Sequence, residues 1–245
     1  MIELLIGIDD TDNKNTRGTG FRSRQMADLF SKEGYEVLEI LRHQLFVHDD
    51  IPYTSQNSSA SIHIIADDID KVINLSRDFL NEIAADGSDV GLCVSTFEKV
   101  NQEIIDWGRN AKKTVLTKKD ALALAAKHQI HLEGLTGTHD GIIGSLAAIG
   151  LRKWGNDGRC IWLQGHEIRD IKGVHQISSL KKMVNIDEVQ TTEGMVIDDE
   201  EYLDINEWFR PAMKNSKIIT YVEPTKNTSN EWKVVSKEYI KSISN

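Results

Sequence analysis

Three carboxylates, Asp9, Asp10 and Asp12, fall within four residues, directly after the apolar run Ile2 to Ile8. A short run of that kind reads as a buried strand, and the polar residues that follow cannot continue it, so the carboxylates lie at the strand's exit. Hard divalent cations such as Mg²⁺ take carboxylate oxygens and keep phosphate oxygens among their remaining ligands. Like charges this close repel unless a cation or protons neutralise them. The pattern offers Asp9, Asp10 and Asp12 as a catalytic and metal-holding set. The competing reading is a solvated turn, where aspartate is an ordinary residue.

Two glycine-bearing loops, each running into a helix, are the next candidates. The first is Arg17-Gly18-Thr19-Gly20. Its backbone N–H groups and the positive end of the helix dipole suit an anion, and Arg17, with Arg22 and Arg24 beyond it, adds charge for phosphate oxygens. The second runs from Gly134 to Gly141 and contributes Gly137, Thr138, His139, Asp140 and Gly141, with Gly144 in the helix behind. Glycine permits close backbone approach to a ligand, but it equally suits a loop shaped for helix packing. No Walker A sequence is present. The expectation is one magnesium polyphosphate held between the two loops and the carboxylates. His43, His48, Asp49 and Asp50 form a further polar group, and His128, His131 and His139 a looser one; neither has zinc spacing.

The elements that must position these residues follow from periodicity. After the strand over 2–8, a helix is expected over Phe21 to Ser31 and strands over Glu36 to Phe46 and Ala60 to Ala66. Apolar residues from Ile69 to Ile83 recur at helical spacing, and Val90 to Thr96 reads as a strand. The order β-α-β-β-α-β over about residues 2–96 is the ferredoxin-like split-βαβ pattern, giving an α+β class. Thr117 to Asp120 opens a helix in capping-box fashion, and Ile142 to Leu151 is an apolar helix. From Cys160 onward the pattern is mixed, with β-like pieces at Cys160 to Leu163 and Ile218 to Val222. The Gly155 to Gly158 turn separates an expected nucleotide-binding domain, 1–155, from a small mixed α/β domain, 156–245.

Length and composition agree with that organisation. A chain of 245 residues with 40% apolar and 27% charged side chains can bury a real core in one large or two small domains and is not disordered. The two cysteines, Cys93 and Cys160, exclude a zinc ribbon or disulfide framework by count and are expected to be buried. The net charge is -9, yet the stretch Asp187 to Glu207 holds nine acids and no Lys or Arg, leaving the remainder neutral. That stretch reads as solvated surface. The apolar runs fall short of a membrane span and Met1-Ile2-Glu3 has no basic leader, so a cytoplasmic protein is expected.

With these residues in view, a resemblance emerges. Ile6 to Asp12, the Ile51-Pro52-Tyr53 segment and Gly141 to Gly150, in that order, resemble the N-terminal part of the agmatidine synthetase family over about residues 1–151. That family uses ATP to activate the wobble cytidine of an isoleucine tRNA and attaches agmatine, with an unusual kinase as its catalytic domain. The resemblance implies an ATP and Mg²⁺ site in which Asp9, Asp10 and Asp12 hold metal or phosphate and Gly137 to Gly144 line the nucleotide. Departures accompany it. Gly20-Phe21-Arg22 stands where the family has a Cys-Thr-Thr run with a threonine tied to phosphoryl transfer, and Thr19 does not align with that threonine. Thr54 to Ser58 stands where the family has a basic segment, and OB-fold and zinc-ribbon modules of the kind that grip tRNA are not expected from this length and two cysteines.

The functional expectation is a Mg²⁺-dependent, ATP-using phosphotransferase-like enzyme acting on a small-molecule or nucleotide acceptor, with tRNA a less favoured partner. A non-catalytic nucleotide or tRNA-binding module is the alternative from another class. A phosphatase of the haloacid dehalogenase type, suggested by Asp10-Thr11-Asp12, lacks the later lysine and G-D-x-x-x-D block.

Overall fold

The computed structural model describes residues 1–51, 56–205, 208–225 and 231–244. The chain begins with β1 (Ile2–Asp9), whose side chains are buried on both faces from Leu4 to Ile8, as expected of a central strand. Helix α1 (Thr19–Lys32) follows, burying Met26, Ala27 and Phe30. Then come β2 (Glu36–Gln44), β3 (Ser58–Ala66), α2 (Ile69–Ile83) and β4 (Gly91–Thr96). The Asp68 side chain caps α2 by accepting from the N–H groups of Asp70 and Lys71. Side by side the strands run β4-β1-β3-β2, every neighbouring pair antiparallel.

Next are α3 (Gln102–Asn110), α4 (Lys118–Lys127), β5 (His131–Gly134), which adds to β4, and α5 (Ile142–Trp154). Thr117 caps α4 as its sequence implies. One face of the sheet packs on α1 and α2 through Leu4, Ile6, Ile8, Phe30, Ile62 and Leu80. The other packs on α3 and α5 through Leu5, Cys93, Ile104, Leu146 and Ile149. Both cysteines are fully buried and free.

The Gly155 to Gly158 turn leads into β6 (Arg159–Leu163), which hydrogen-bonds to β2 and so extends the same sheet. Beyond it lie β7 (Gly173–Gln176), α6 (Ile177–Val184), β8 (Glu188–Thr191), β9 (Tyr202–Ile205), β10 (Ala212–Lys214), β11 (Lys217–Pro224), β12 (Glu231–Val234) and α7 (Lys237–Ser244). This part is richer in strands than its sequence suggests. The acidic stretch is not merely solvated surface: it carries β8 and β9 and buries Val189, Ile197, Leu203 and Ile205 in a core of its own with α6. Two of its acids pair with lysines, Asp199 with Lys181 and Glu188 with Lys217. No helix among the described residues is long and apolar enough to cross a membrane.

Helix α5 lies on β1 with backbone nearly touching backbone. A Cβ on Gly7 would stand 1.9 Å from the Ser145 carbonyl oxygen, so a side chain there must push the helix off the sheet. Gly7→Ala should therefore cost about 1–3 kcal/mol, as overpacking of a core does. The check is a urea melt, in which the midpoint falls while the slope is unchanged. An unaltered midpoint would mean that the contact carries no weight.

Candidate functional site

The end of β1 is pinned to the start of β4, because the antiparallel register sets Asp9 opposite Gly91. Residues just past Asp9 and just before Gly91 thus share one end of the sheet, where the glycine loop and the first turn of α5 also arrive. Gly141 N–H donates to the Asp89 carbonyl (2.8 Å), tying the loop to that end. A cavity of about 180 Å³ opens there. Asp9, Asp10, Asp12, Asp140, Gly141 and Gly144 line one side of it. Leu45, Ile51, Val115, Leu116 and Ile143 supply an apolar wall on another.

Asp9 is the most constrained of these. Its carboxylate accepts from the Asp10 N–H (2.9 Å), and a Cβ on Gly144 would lie 1.7 Å from its Oδ2. Burial pushes its carboxyl up to about 8, with the Asp10 and Asp12 charges adding and the Asp10 N–H and Arg42 opposing. Asp10 has φ 51°, a left-handed conformation uncommon outside glycine. Its carboxyl is pushed up to about 6 by burial, then by the charges of Asp89, Asp12 and Asp140. Asp140 moves the opposite way: burial raises it, but Lys118 (2.9 Å) and the Thr138 hydroxyl (2.8 Å) outweigh that and lower it.

Several backbone donors of the two glycine loops are engaged within the chain. At the start of α1 the Thr19 N–H donates to Asp12 Oδ1 (3.2 Å), so a carboxylate of the chain itself holds the helix terminus. At α5 the N–H groups of Gly141, Ile142 and Ile143 donate to the carbonyls of Asp89, His139 and Asp140. Thr138 N–H goes to Asp89, and Gly137 leaves room for that carboxylate, since a Cβ would sit 2.0 Å from its Oδ1. His139 is exposed, packs its Cβ over Gly134 and does not line the cavity. Arg17, Gly18 and Gly20 line an adjoining cavity, which shares Asp12, Thr19, Gln56 and Ser58 with the first.

Asp89 is the residue that sequence reasoning misses. An acid just before a strand carries no local signal; only the β1–β4 register brings it beside Asp10. Pro52 and Tyr53, part of the resemblance motif, and Thr54 and Ser55 lie outside the described residues. Among the described residues no group of three His, Cys, Asp or Glu side chains is gathered closely enough to hold a metal ion alone. Two histidines of the looser group lie beside acids, His128 at 3.1 Å from Glu103 and His131 at 3.1 Å from Glu133.

A serine-histidine-aspartate constellation does occur elsewhere. His43 Nε2 lies 2.9 Å from Ser61 Oγ, and its Nδ1 lies 2.8 Å from Asp157 Oδ1. All three side chains are buried, neither cavity reaches them, and burial holds the His43 pKa down despite Asp157. The group ties β2 and β3 to the turn after α5, a structural use of polar residues fully satisfied by one another.

The raised Asp9 carboxyl has a consequence for stability. The folded state keeps a proton that the unfolded chain releases above about pH 4, so this group's contribution falls as pH rises toward about 8. Asp9→Asn removes that penalty and keeps an oxygen for the Asp10 N–H. At pH 8 and without divalent ions its melting temperature should exceed that of the unaltered chain by at least about 2–4 °C, the shift for 1 kcal/mol at this size. The gain should shrink at pH 5. A variant less stable at both values would contradict the reading.

No family model matches the chain, and no curated protein does. Solved structures do. A tRNA fluorescent labeling enzyme matches with TM-score 0.55 at 24% identity, over 61% of this chain and 36% of that one. Apo TiaS, a tRNAIle2 agmatidine synthetase, gives TM-score 0.53 at 21% identity over 61% and 35%. TiaS in complex with tRNA(Ile2) and ATP gives 0.54 at 22% over 61% and 36%. The matched part is little more than a third of the length of those proteins. What these likenesses establish is the fold: 61% of this chain is built as a part of agmatidine synthetase is built.

Proposed function

We propose that the chain is a Mg²⁺-dependent, ATP-using phosphotransferase-like enzyme whose nucleotide is seated at the cavity at the end of β1 and, since that cavity is smaller than ATP, extends beyond it. The observation that carries this reading is the convergence of Asp9, Asp10 and Asp12 with Asp140, Gly141 and Gly144 of the α5 entrance around one cavity that also has an apolar wall. Such a wall suits a nucleobase, and the carboxylate end suits a cation with phosphates. The fold likeness to a protein solved with ATP supports the same reading. So does the β4-β1-β3-β2 order, which fits a ferredoxin-like unit over residues 2–96 inside a domain ending near 155.

The donor set fits magnesium in one particular way. Asp9 and Asp10 are hard oxygen donors that burial and mutual repulsion keep partly protonated, and no third acid completes a metal cage among the described residues. Magnesium is commonly held by one or two carboxylates together with substrate phosphates. Bound there, it supplies neutralisation of phosphate charge. The chain's own groups divide the remaining tasks. Asp12 holds the start of α1 through Thr19, Gly144 leaves the Asp9 carboxylate its room, and Leu45, Ile51 and Val115 exclude water from the base. In the proposed reaction an acceptor oxygen bonds to the γ-phosphorus, the bond to the bridging oxygen breaks, ADP departs and the acceptor's proton passes to solvent or a carboxylate. Positioning and electrostatics carry such a transfer.

A non-catalytic module is the rival reading. Thr19 Oγ1 accepts from the Thr11 N–H (3.4 Å) and lies buried beside Asp12, so it is no exposed substitute for the family's threonine.

Asp10→Ala and Asp12→Ala should each reduce Mg²⁺-dependent ATP turnover by about 100-fold or more, the scale for removing one element of electrostatic stabilisation. Turnover is read by ADP release and binding by titration of a non-hydrolysable ATP analogue. Equal binding and turnover in both variants would remove the assignment. ATP binding without consumption by the unaltered chain, together with steeply salt-dependent tRNA binding, would select the module.

A further inference from the structure

The cavity adjoining the carboxylates is about 450 Å³, and its charge is the reverse of its neighbour's. Arg17, Arg24, Arg42 and Arg169 line it, with Asp12 as the acid among them. The arginines come from the loop before α1 (Arg17), α1 (Arg24), β2 (Arg42) and the turn after β6 (Arg169), so the strand-rich second half of the chain completes the hollow. Glu167 pairs with Arg24 and approaches Arg169 at 3.9 Å. Arg24 also donates to the Gly20 carbonyl (2.8 Å) and Arg42 to the Gln56 side chain (2.8 Å).

Those partners leave charge over. Buried Arg159 and Arg210 stand behind the lining, close enough that burial and then Arg159 bring Arg42 down to about 10, and burial and then Arg169 bring Arg210 to about 10. Among the described residues, Arg42 Nη1 and Arg159 Nη1 are buried without a hydrogen-bond partner. Arg159 is only 8% exposed. A charged donor buried unpaired is costly, and crowded guanidinium groups add repulsion. A phosphate in the hollow offsets the crowded positive charge through the guanidinium groups that line it, Arg17, Arg42 and Arg169, because its oxygens match the planar guanidinium fork.

We propose that this hollow is the acceptor site and that the acceptor is a small molecule bearing a phosphate monoester. The inference rests on the nucleotide reading of the first cavity: the shared residues Asp12, Thr19, Gln56 and Ser58 place the hollow's occupant against the carboxylate end. Its arginine lining disfavours a cationic amine. The volume falls in the range of small-ligand sites, and the arginines gather in one recess rather than along an extended basic track for RNA.

The test uses the full chain with ribose 5-phosphate and inorganic phosphate as probes and a single-stranded RNA oligonucleotide as the contrast, each titrated calorimetrically. The ester should bind the unaltered chain, and should still bind when Mg²⁺ and a non-hydrolysable ATP analogue are saturating. Arg169 is exposed, so Arg169→Ala should keep the circular dichroism spectrum and lose about tenfold in ester affinity, the worth of one charge-assisted bond. Arg42→Gln should lose at least as much, and Arg169→Lys should restore part. Displacement of the ester by the ATP analogue would show the hollow to be the seat of the nucleotide's own phosphates and overturn the proposal. So would RNA binding without ester binding, or ester affinity indifferent to both arginines. If the ester binds and the arginines matter while the analogue never binds, the nucleotide reading fails separately: the anion site stands and its acceptor role falls.

Discussion

The arrangement depends on a carboxylate pressed between a strand and a helix. Asp9 ends β1, and α5 crosses that point so closely that Gly7 and Gly144 have no room for a Cβ. Apolar packing on both faces of β1 supplies the free energy that lets an acid be buried there. The burial is then transmitted: it lifts the Asp9 and Asp10 carboxyls, and Asp10 turns into the left-handed region beside three other acids. Concentrated like charge and a left-handed backbone at a cavity are features of the kind that cluster where proteins act on ligands.

The two cavities make electrostatic sense only as neighbours. In a chain of net charge -9, one pocket collects aspartates and the next collects arginines, with Asp12 and Thr19 on their common border. Arg42 lowers the Asp9 carboxyl while raising the density of positive charge around Arg159. Opposite pockets placed in contact suit a reaction between a cation-bearing phosphate donor and a second anion, whose mutual repulsion must be overcome before they can approach. At both helix termini Asp12 and turn carbonyls already engage several of the terminal N–H groups.

The sequence was most legible where one element carries a strong period. The strand before Asp9, the amphipathic helix Ile69–Ile83 and the capped helix after Thr117 all stand where their patterns put them. It was least legible where elements are short. β5, β7, β8, β9 and β12 have four residues each and β10 three, too few for alternation to show, and they exist because neighbours pair with them. Helix α3 escaped notice because its buried positions reduce to Ile104, Trp107 and Gly108. In the site, Asp9, Asp10, Asp12, Thr19, Asp140, Gly141 and Gly144 could be chosen from chain neighbourhood, and they do line one cavity. Asp89 and Arg169 could not, because each reaches the site only through strand register or through the second half of the sheet.

Access, more than residue type, separates the parts of this molecule that can act from those that only support. Ser61, His43 and Asp157 have the composition and spacing of a nucleophilic triad, yet packing seals them and each polar atom is answered from within. Glu39, His63 and Arg152 form a second sealed group between the sheet and α5. The carboxylates after β1 are equally polar but only half-buried, one side of them faces a cavity, and burial with mutual repulsion raises the Asp9 and Asp10 carboxyls. Internal satisfaction makes a polar cluster a strut; an unmet charge beside an opening makes it a site. By that criterion the acidic cavity and the arginine hollow are the places where this fold invites a ligand, and the buried histidine groups tie neighbouring elements together.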